Sequence, residues 1–152
     1  MNNVVSAQPA VMEIEPDKVL PLLQIISDLV GKRCDRFLGA RYGLTMPQYQ
    51  LLQAAISEVD STLGGLSEHL NCSRGNVTGI VDRLERDGWL QRQRSTEDRR
   101  VIMVRLTDKG NGVGEISKEL SEELANLSQV WDATQRQSLS AILLRMYTEL
   151  KD

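Results

Sequence analysis

Apolar residues recur every three to four positions along most of the chain, a spacing that predicts amphipathic helices. The first helix is predicted from about residue 17 to residue 40. A second is predicted to begin at the sequence TMPQ, where Thr45 is a suitable N-cap and Gln48, three residues later, completes a capping box. A short strand at residues 61–63 and a brief helix over GLSEHL follow.

Residues 73–107 predict one helix followed by one hairpin. Ser73 is a suitable N-cap and Gly88 a suitable left-handed C-cap, and four apolar residues between them recur at helical spacing. The runs WLQRQR and RRVIMVRLT are joined by the turn-prone STED, so they predict two paired strands. Residues 63–88 therefore predict a helix-turn-helix and residues 89–106 its wing. The wing is expected to cluster Arg92, Arg94, Arg99, Arg100 and Arg105.

Two further helices with apolar stripes are predicted after the wing. One runs from residue 108 to about residue 129 with a spacing close to that of a coiled coil, and the last begins at the capping pair Asp132 and Gln135. Because a single winged helix does not need such flanking stripes, they predict pairing with a second copy in a two-fold homodimer.

The predicted fold class is mainly α with a small β wing, a winged helix-turn-helix with N- and C-terminal dimerisation helices. Residues 1–16 are expected to form a flexible arm and residues 17–150 a single domain. Within that domain the dimerisation helices are assigned to 17–40 and 108–150, and the winged helix-turn-helix to 45–106.

Three glycines fall at the start of the predicted long helix, namely Gly110, Gly112 and Gly114. Each costs a helix about 1 kcal/mol relative to alanine, so this stretch is expected to be soft. Two interpretations remain open: a frayed helix start, or a hinge between the DNA-binding and dimerisation parts.

Composition restricts the function more than the fold. The 152 residues are 41% hydrophobic and 26% charged, as in ordinary globular domains, and no run approaches the roughly 18 apolar residues of a membrane span. A cytoplasmic location with two reduced cysteines is therefore expected.

The sequence does not indicate an enzyme, because it has no catalytic Ser/His/Asp set, phosphate loop or carboxylate pair. One histidine, His69, and two dispersed cysteines do not form a zinc site, so neither metal nor cofactor is expected.

The net charge of −3 conceals a local basic region. Residues 61–110 carry nine basic and seven acidic residues, a balance of +2, whereas the rest of the chain carries nine basic and fourteen acidic residues, a balance of −5. Since surface potential follows local charge, such a patch suits binding to phosphate.

Three segments, GLTMPQYQLL, LSEHLNCSRGNVTGIVDRLERDGWLQR and DRRVIMVRLTDKG, resemble the MarR family of winged-helix transcription factors. The resemblance spans about residues 17–150. It implies a homodimeric regulator, usually a repressor, that leaves a pseudo-palindromic double-stranded DNA operator when a small ligand or an oxidant is sensed. It also implies that Arg100 enters the minor groove and that Asp98 orients it.

The first turns of the helix at Ser73 are expected to face the major groove, so Ser73, Arg74, Asn76 and Thr78 are candidates for bases and nearby phosphates. Arg74 suits guanine and Asn76 suits adenine. Arg83 is expected to contact phosphate or, alternatively, to pair with Asp87. In the wing, Arg94 and Arg99 are expected to contact phosphates or the groove edge.

An effector site is also expected. The family resemblance implies a cavity between the first helix, the second helix and the winged unit, which here would involve Cys34, Leu38, Arg41, Tyr42 and Met46. An alternative is a redox-responsive regulator, with Cys72 beside the N-cap of the reading helix as the sensor. A winged helix that serves as a protein-interaction module is a further alternative, although it would not need the arginines of the wing.

Overall fold

The computed structural model describes residues 15–57, 61–95 and 101–151. Most of them are helical, and a small sheet lies between the helices. In chain order the elements are α1 (Pro16–Tyr42), α2 (Met46–Ser57), β1 (Ser61–Thr62), α3 (Leu63–His69), α4 (Arg74–Arg86), β2 (Leu90–Arg94), β3 (Ile102–Leu106), α5 (Asp108–Asn111), α6 (Val113–Ala125), a 3₁₀ turn (Asn126–Val130) and α7 (Ala133–Lys151). The predicted arm falls largely within residues 1–14, outside the described residues.

The helices begin and end at the signals that the sequence carries. At Asp132 and Gln135 the predicted capping box is complete, with hydrogen bonds of 3.0 Å and 2.8 Å. At Thr45 one half of the predicted box forms: the Thr45 backbone N–H donates to Gln48 Oε1 at 2.8 Å. Gly88 has φ 75°, the left-handed conformation that ends α4. Local interactions thus mark these helix ends.

The sheet has the strand order β1-β3-β2, with both pairs antiparallel. Arg92 lies opposite Val104 and Gln91 opposite Arg105. Since side chains alternate between the two faces of a strand, Arg92 lies on the same face as buried Leu90 and Val104, and Arg105 lies on the other face. The hairpin therefore has a protein-facing side and a solvent-facing side.

The core lies where α2, α3 and α4 meet the sheet, the C-terminal half of α1 and the start of α6. All four predicted inward residues of α4, from Val77 to Leu84, are buried there. The largest fully buried side chains are Leu38, Leu44, Leu51, Leu52, Leu66, Leu84 and Leu90. Burial of each such side chain stabilises the fold by about 1.5–3 kcal/mol.

Polar contacts hold α1 and α2 against α6. Arg33 pairs with Glu123 at 2.7 Å and Arg41 with Glu119 at 2.6 Å. On α2, the Tyr49 hydroxyl lies 2.9 Å from Ser117 Oγ. These contacts connect the first two helices to the helix that follows the hairpin.

The predicted continuous helix at 108–129 is wrong. The chain forms α5, breaks at Gly112, and continues as α6 and the 3₁₀ turn. Two residues before the break, Gly110 is closely packed, since an added Cβ would lie 2.1 Å from the Trp89 carbonyl oxygen. Gly110 is buried, and its N–H donates to Thr107 Oγ1 at 3.2 Å. Gly110 is therefore a packing requirement, and neither interpretation of the glycines as soft points applies to it.

Two helices keep large apolar faces in solvent. On α7 no residue is buried, and Leu144, Tyr147 and Leu150 are 67%, 63% and 82% exposed. The first half of α1 likewise exposes Leu20, Ile25, Leu29 and neighbouring residues. The predicted apolar stripes are present, and within this single chain the described residues leave them uncovered.

The glycines after the wing give a direct test of packing. Gly110→Ala should lower the free energy of unfolding by about 2–3 kcal/mol, because a Cβ collides with backbone that cannot easily move. Gly114→Ala is the matched control: nothing lies within 4 Å of its Cβ position, so a gain of up to about 1 kcal/mol is expected. Urea unfolding at equal protein concentration measures both, and equal effects would contradict the packing role of Gly110.

Candidate nucleic-acid interface

The start of α4 presents polar side chains to solvent. Ser73 lies at the N-cap, where its Oγ accepts from the Asn76 backbone N–H at 3.3 Å. The Thr78 hydroxyl donates to the Arg74 carbonyl at 2.8 Å, which leaves its oxygen free to accept. Ser73, Arg74 and Asn76 are exposed. The four predicted base-reading residues are therefore within two turns of one helix end, three of them accessible.

Arg74 borders a shallow hollow between α3, α4 and the outer end of the hairpin, at the start of β3. The hollow has a volume of about 450 Å³. Arg74 Nη2 lies 3.5 Å from the position that a Cβ on Gly64 would occupy, so the guanidinium lies over α3. The lining residues are Thr62, Leu63, Gly64, Arg74, Thr78, Val101 and Ile102.

Gly75 and Gly79 lie on α4 with open space around them. No described atom comes within 4 Å of a Cβ built on either. Packing inside this chain therefore does not require glycine at these positions, and the space is free for something that approaches from outside.

The hairpin arginines do not form the single cluster that was predicted. Arg92 is drawn against α4, where it pairs with Asp82 at 2.5 Å and Glu85 at 2.6 Å. Arg105, on the opposite face, donates from Nε to Gln93 at 2.8 Å. Arg94 is exposed near the outer end of β2. Asp98, Arg99 and Arg100 lie outside the described residues.

Arg83 is exposed on α4, and the alternative ion pair with Asp87 does not form. Asp87 instead contacts Arg86, with Nε and Oδ1 3.2 Å apart. Within the described part of the chain Arg83 has no ion-pair partner. Its charge is therefore available to an external anion.

The five residues suggested for an effector cavity divide into two groups. Cys34 and Leu38 are buried in the core, and Met46 packs against it. Arg41 and Tyr42 meet Glu119 at the surface, where the hydrogen bond from Tyr42 and the pair with Arg41 lower the pKa of the Glu119 carboxyl. The same hydrogen bond raises the pKa of Tyr42. None of these residues lines the hollow beside Arg74.

The two cysteines are free thiols in different environments. Burial, followed by the charge of Asp35, raises the pKa of Cys34, which disfavours the reactive thiolate. Cys72 is half-buried, and its carbonyl accepts from the Ser67 hydroxyl at 2.7 Å. The geometry thus assigns Cys34 to the core and gives Cys72 a place in the turn before α4.

Sequence reasoning missed the role of Asp82 and Glu85. A signal was present, since the two acids lie one turn apart on α4 and a short turn leads from that helix to Arg92.

Among the described residues, no group of three or more His, Cys, Asp or Glu could hold a metal ion. No helix in the same part of the chain is long and apolar enough to span a membrane.

Comparison with known proteins agrees with this geometry. Residues 44–102 match the MarR family model. The transcriptional repressor MprA of Escherichia coli K12 is 37% identical over 89 residues, which cover 56% of this chain and 49% of MprA, so the match spans about half of that protein.

Two solved structures share the fold over nearly the whole chain. A MarR family protein from Bacillus stearothermophilus has 27% identity and a TM-score of 0.76, with 90% of this chain and 95% of that chain covered. FabT of Streptococcus pneumoniae, solved in complex with DNA, has 22% identity and a TM-score of 0.78, with 91% and 99% covered.

These likenesses confirm the winged-helix fold and the resemblance drawn from the motifs, and they match transcriptional regulators rather than enzymes. Residues 44–102 of the chain thus match the MarR family model, and nearly the whole chain has the fold of a MarR family protein.

Proposed function

We propose that the protein is a homodimeric, sequence-specific repressor that resides in the cytoplasm and leaves its operator when a small ligand binds. The observation that carries the proposal is the capped start of α4, where Arg74 and Asn76 are exposed beside a hairpin with a free basic end at Arg94. This unit is the reading part of the MarR fold, and FabT, which has the same fold, has been solved with DNA.

In the proposed complex the start of α4 enters the major groove. Arg74 offers paired donors suited to guanine O6 and N7, and Asn76 offers a donor and an acceptor suited to adenine. Ser73 and Thr78 lie beside them and would contact bases or nearby phosphates. Arg83 and Arg94 are exposed cations that suit phosphate, since neither has an ion-pair partner within the described ranges.

The tip of the wing completes the proposed contact. Arg100 would enter the minor groove, oriented by Asp98, and Arg99 would contact phosphate or the groove edge. A guanidinium suits this position because it stays charged and narrow grooves concentrate negative potential.

A second copy of the chain is the proposed cover for the exposed faces of α1 and α7. Leu20 and Leu29 of α1 are 63% and 58% exposed, and α7 has no buried residue at all. Apolar faces this extensive mark interaction surfaces in folded proteins. A two-fold pair would carry two reading helices to half-sites about one helical turn apart.

The proposed effector acts where α1 and α2 meet the winged unit. Of the suggested residues, Arg41 and Tyr42 are the polar ones near the surface and already contact Glu119 of α6. Cys34 and Leu38 would contact a ligand only if the core opened there. The redox alternative then rests on Cys72, because the raised pKa of Cys34 disfavours its thiolate.

DNA binding should depend steeply on salt. Affinity for a duplex taken from the DNA upstream of the protein's own gene, measured by fluorescence anisotropy, should fall linearly in log K against log salt because phosphate contacts release counterions. A protein-interaction module would show no such slope on any duplex.

Arg74→Ala should relax base preference more than it weakens binding to unrelated duplexes. Arg36→Ala, at an exposed position of α1, is the matched control. A uniform loss for Arg74→Ala would remove it from base reading.

The assembly can be tested on α7. Leu144 and Tyr147 are exposed within one chain, so Leu144→Glu with Tyr147→Glu should leave the isolated fold intact but convert dimer to monomer, because charges cannot be buried at an apolar interface. Sedimentation velocity measures the change. The control Gln50→Glu, which adds one negative charge at an exposed position of α2, should leave the dimer unchanged. A dimer that survives both α7 substitutions would exclude this face.

A further inference from the structure

Arg92 makes three contacts with α4, and all of them involve acidic residues of that helix. Its Nη2 lies 2.5 Å from Asp82 Oδ1, and its Nη1 lies 2.6 Å from Glu85 Oε2. The other oxygen of Glu85 accepts the Arg92 backbone N–H at 3.0 Å. One carboxylate thus holds both the side chain and the main chain of β2.

The backbone contact matters because β2 is an edge strand, paired only with β3 among the described strands. At Arg92 the N–H points away from β3 and donates to Glu85. An unpaired edge N–H is otherwise left to water or to another chain. Glu85 therefore extends the hydrogen bonding of the sheet onto the reading helix.

The charge of Arg92 is not available to DNA. It lies between two carboxylates, so the three side chains together carry a net charge of −1. The Arg92 side chain is only 25% exposed, whereas Arg94, two residues further along the same face, is exposed. A residue that belongs by composition to the basic wing is thus used inside the protein.

The position of Arg92 along the hairpin determines which part of the wing its contacts with α4 hold in place. The root of the hairpin is already fixed by Leu84, whose carbonyl accepts the Trp89 N–H at 2.9 Å, and by buried Leu90. Arg92 lies two residues further out, towards the end that carries Arg94. At this level β3 is held by β1, because buried Val104, which lies opposite Arg92, also pairs with Ser61, and the contacts of Arg92 with α4 hold the edge strand β2.

We propose that Arg92, held by Glu85 and Asp82, is a positioning residue that sets the angle between the wing and the reading helix. The inference rests on the proposed DNA-binding function. The wing and the helix enter different grooves of one duplex, so both contact it together only at one relative orientation. A restrained wing loses less conformational entropy on binding than a free one.

Glu85→Gln gives the sharpest test, because electrostatics and positioning predict opposite results. Removal of an acidic charge beside the DNA surface should raise affinity if charge alone matters. If Glu85 positions the wing, the weakened contact with Arg92 should lower affinity, by about tenfold, equivalent to about 1.4 kcal/mol. A rise in affinity for Glu85→Gln would overturn the proposal.

Arg92 and Arg94 form a matched pair for the salt dependence. Arg92→Ala should lower affinity while the slope of log K against log salt stays unchanged, because no phosphate contact is lost. Arg94→Ala should reduce that slope by about one. A reduced slope for Arg92→Ala would make Arg92 a phosphate contact and overturn the proposal.

The double variant Arg92→Ala with Glu85→Gln tests whether the two residues act together. Its affinity for DNA should be no lower than that of whichever single variant binds more weakly, and additive losses of affinity would contradict the proposal.

A measurement without DNA separates this proposal from the proposed function. In the free protein, amide hydrogen exchange at Arg92 should become faster in Glu85→Gln, while exchange in α4 stays slow and shows that the variant is folded. Arg92→Lys provides a second folded variant, in which an ammonium replaces the paired donors and an intermediate loss is expected. If the wild-type protein fails to bind any duplex, the proposed function fails, and unchanged exchange at Arg92 would independently overturn the positioning role.

Discussion

The carbonyl group of Trp89 is the point on which the arrangement of the chain depends. It accepts the Thr107 N–H at 3.2 Å and lies within reach of the Thr107 hydroxyl at 3.1 Å, which closes the base of the hairpin. Gly110 packs directly beneath it, so close that no side chain fits. Lys109 donates to the Asp87 carbonyl at 2.9 Å and lies over the Trp89 ring. The end of the hairpin and the start of the following helices therefore form one joint.

This joint connects the hairpin to the C-terminal part of the chain. After the short α5 and the break at Gly112, α6 packs against α1 and α2. There Glu119 and Glu123 meet arginines of α1, and Ser117 meets Tyr49 of α2. Packing explains two residues of the run from Leu106 to Gly110: Thr107 is a hydrogen-bond partner of the Trp89 carbonyl, and Gly110 is small enough to fit beside it.

Much of the fold could be predicted from the sequence because its determinants are local. The caps at Ser73 and Asp132 and the left-handed glycine at 88 are short-range signals that formed as predicted, and half of the capping box at Thr45 formed as well. The packing requirement for glycine at 110 could not be predicted, because it comes from a carbonyl 21 residues earlier in the chain. The hairpin arginines present the same limitation. Strand alternation divides them between two faces, but only the structure shows that Asp82 and Glu85 lie where they capture Arg92.

The division of charge also bears on how a protein with a net charge of −3 would bind DNA. With Arg92 neutralised by α4, the local excess of basic residues rests on a few exposed arginines, among them Arg74, Arg83 and Arg94. Bulk attraction is then weak, and affinity depends on how well those few groups meet their phosphates and bases at once. Their relative placement is set by the Arg92 contacts with α4 and by the joint at Trp89. A change in that placement would therefore alter binding even where the total charge stays the same.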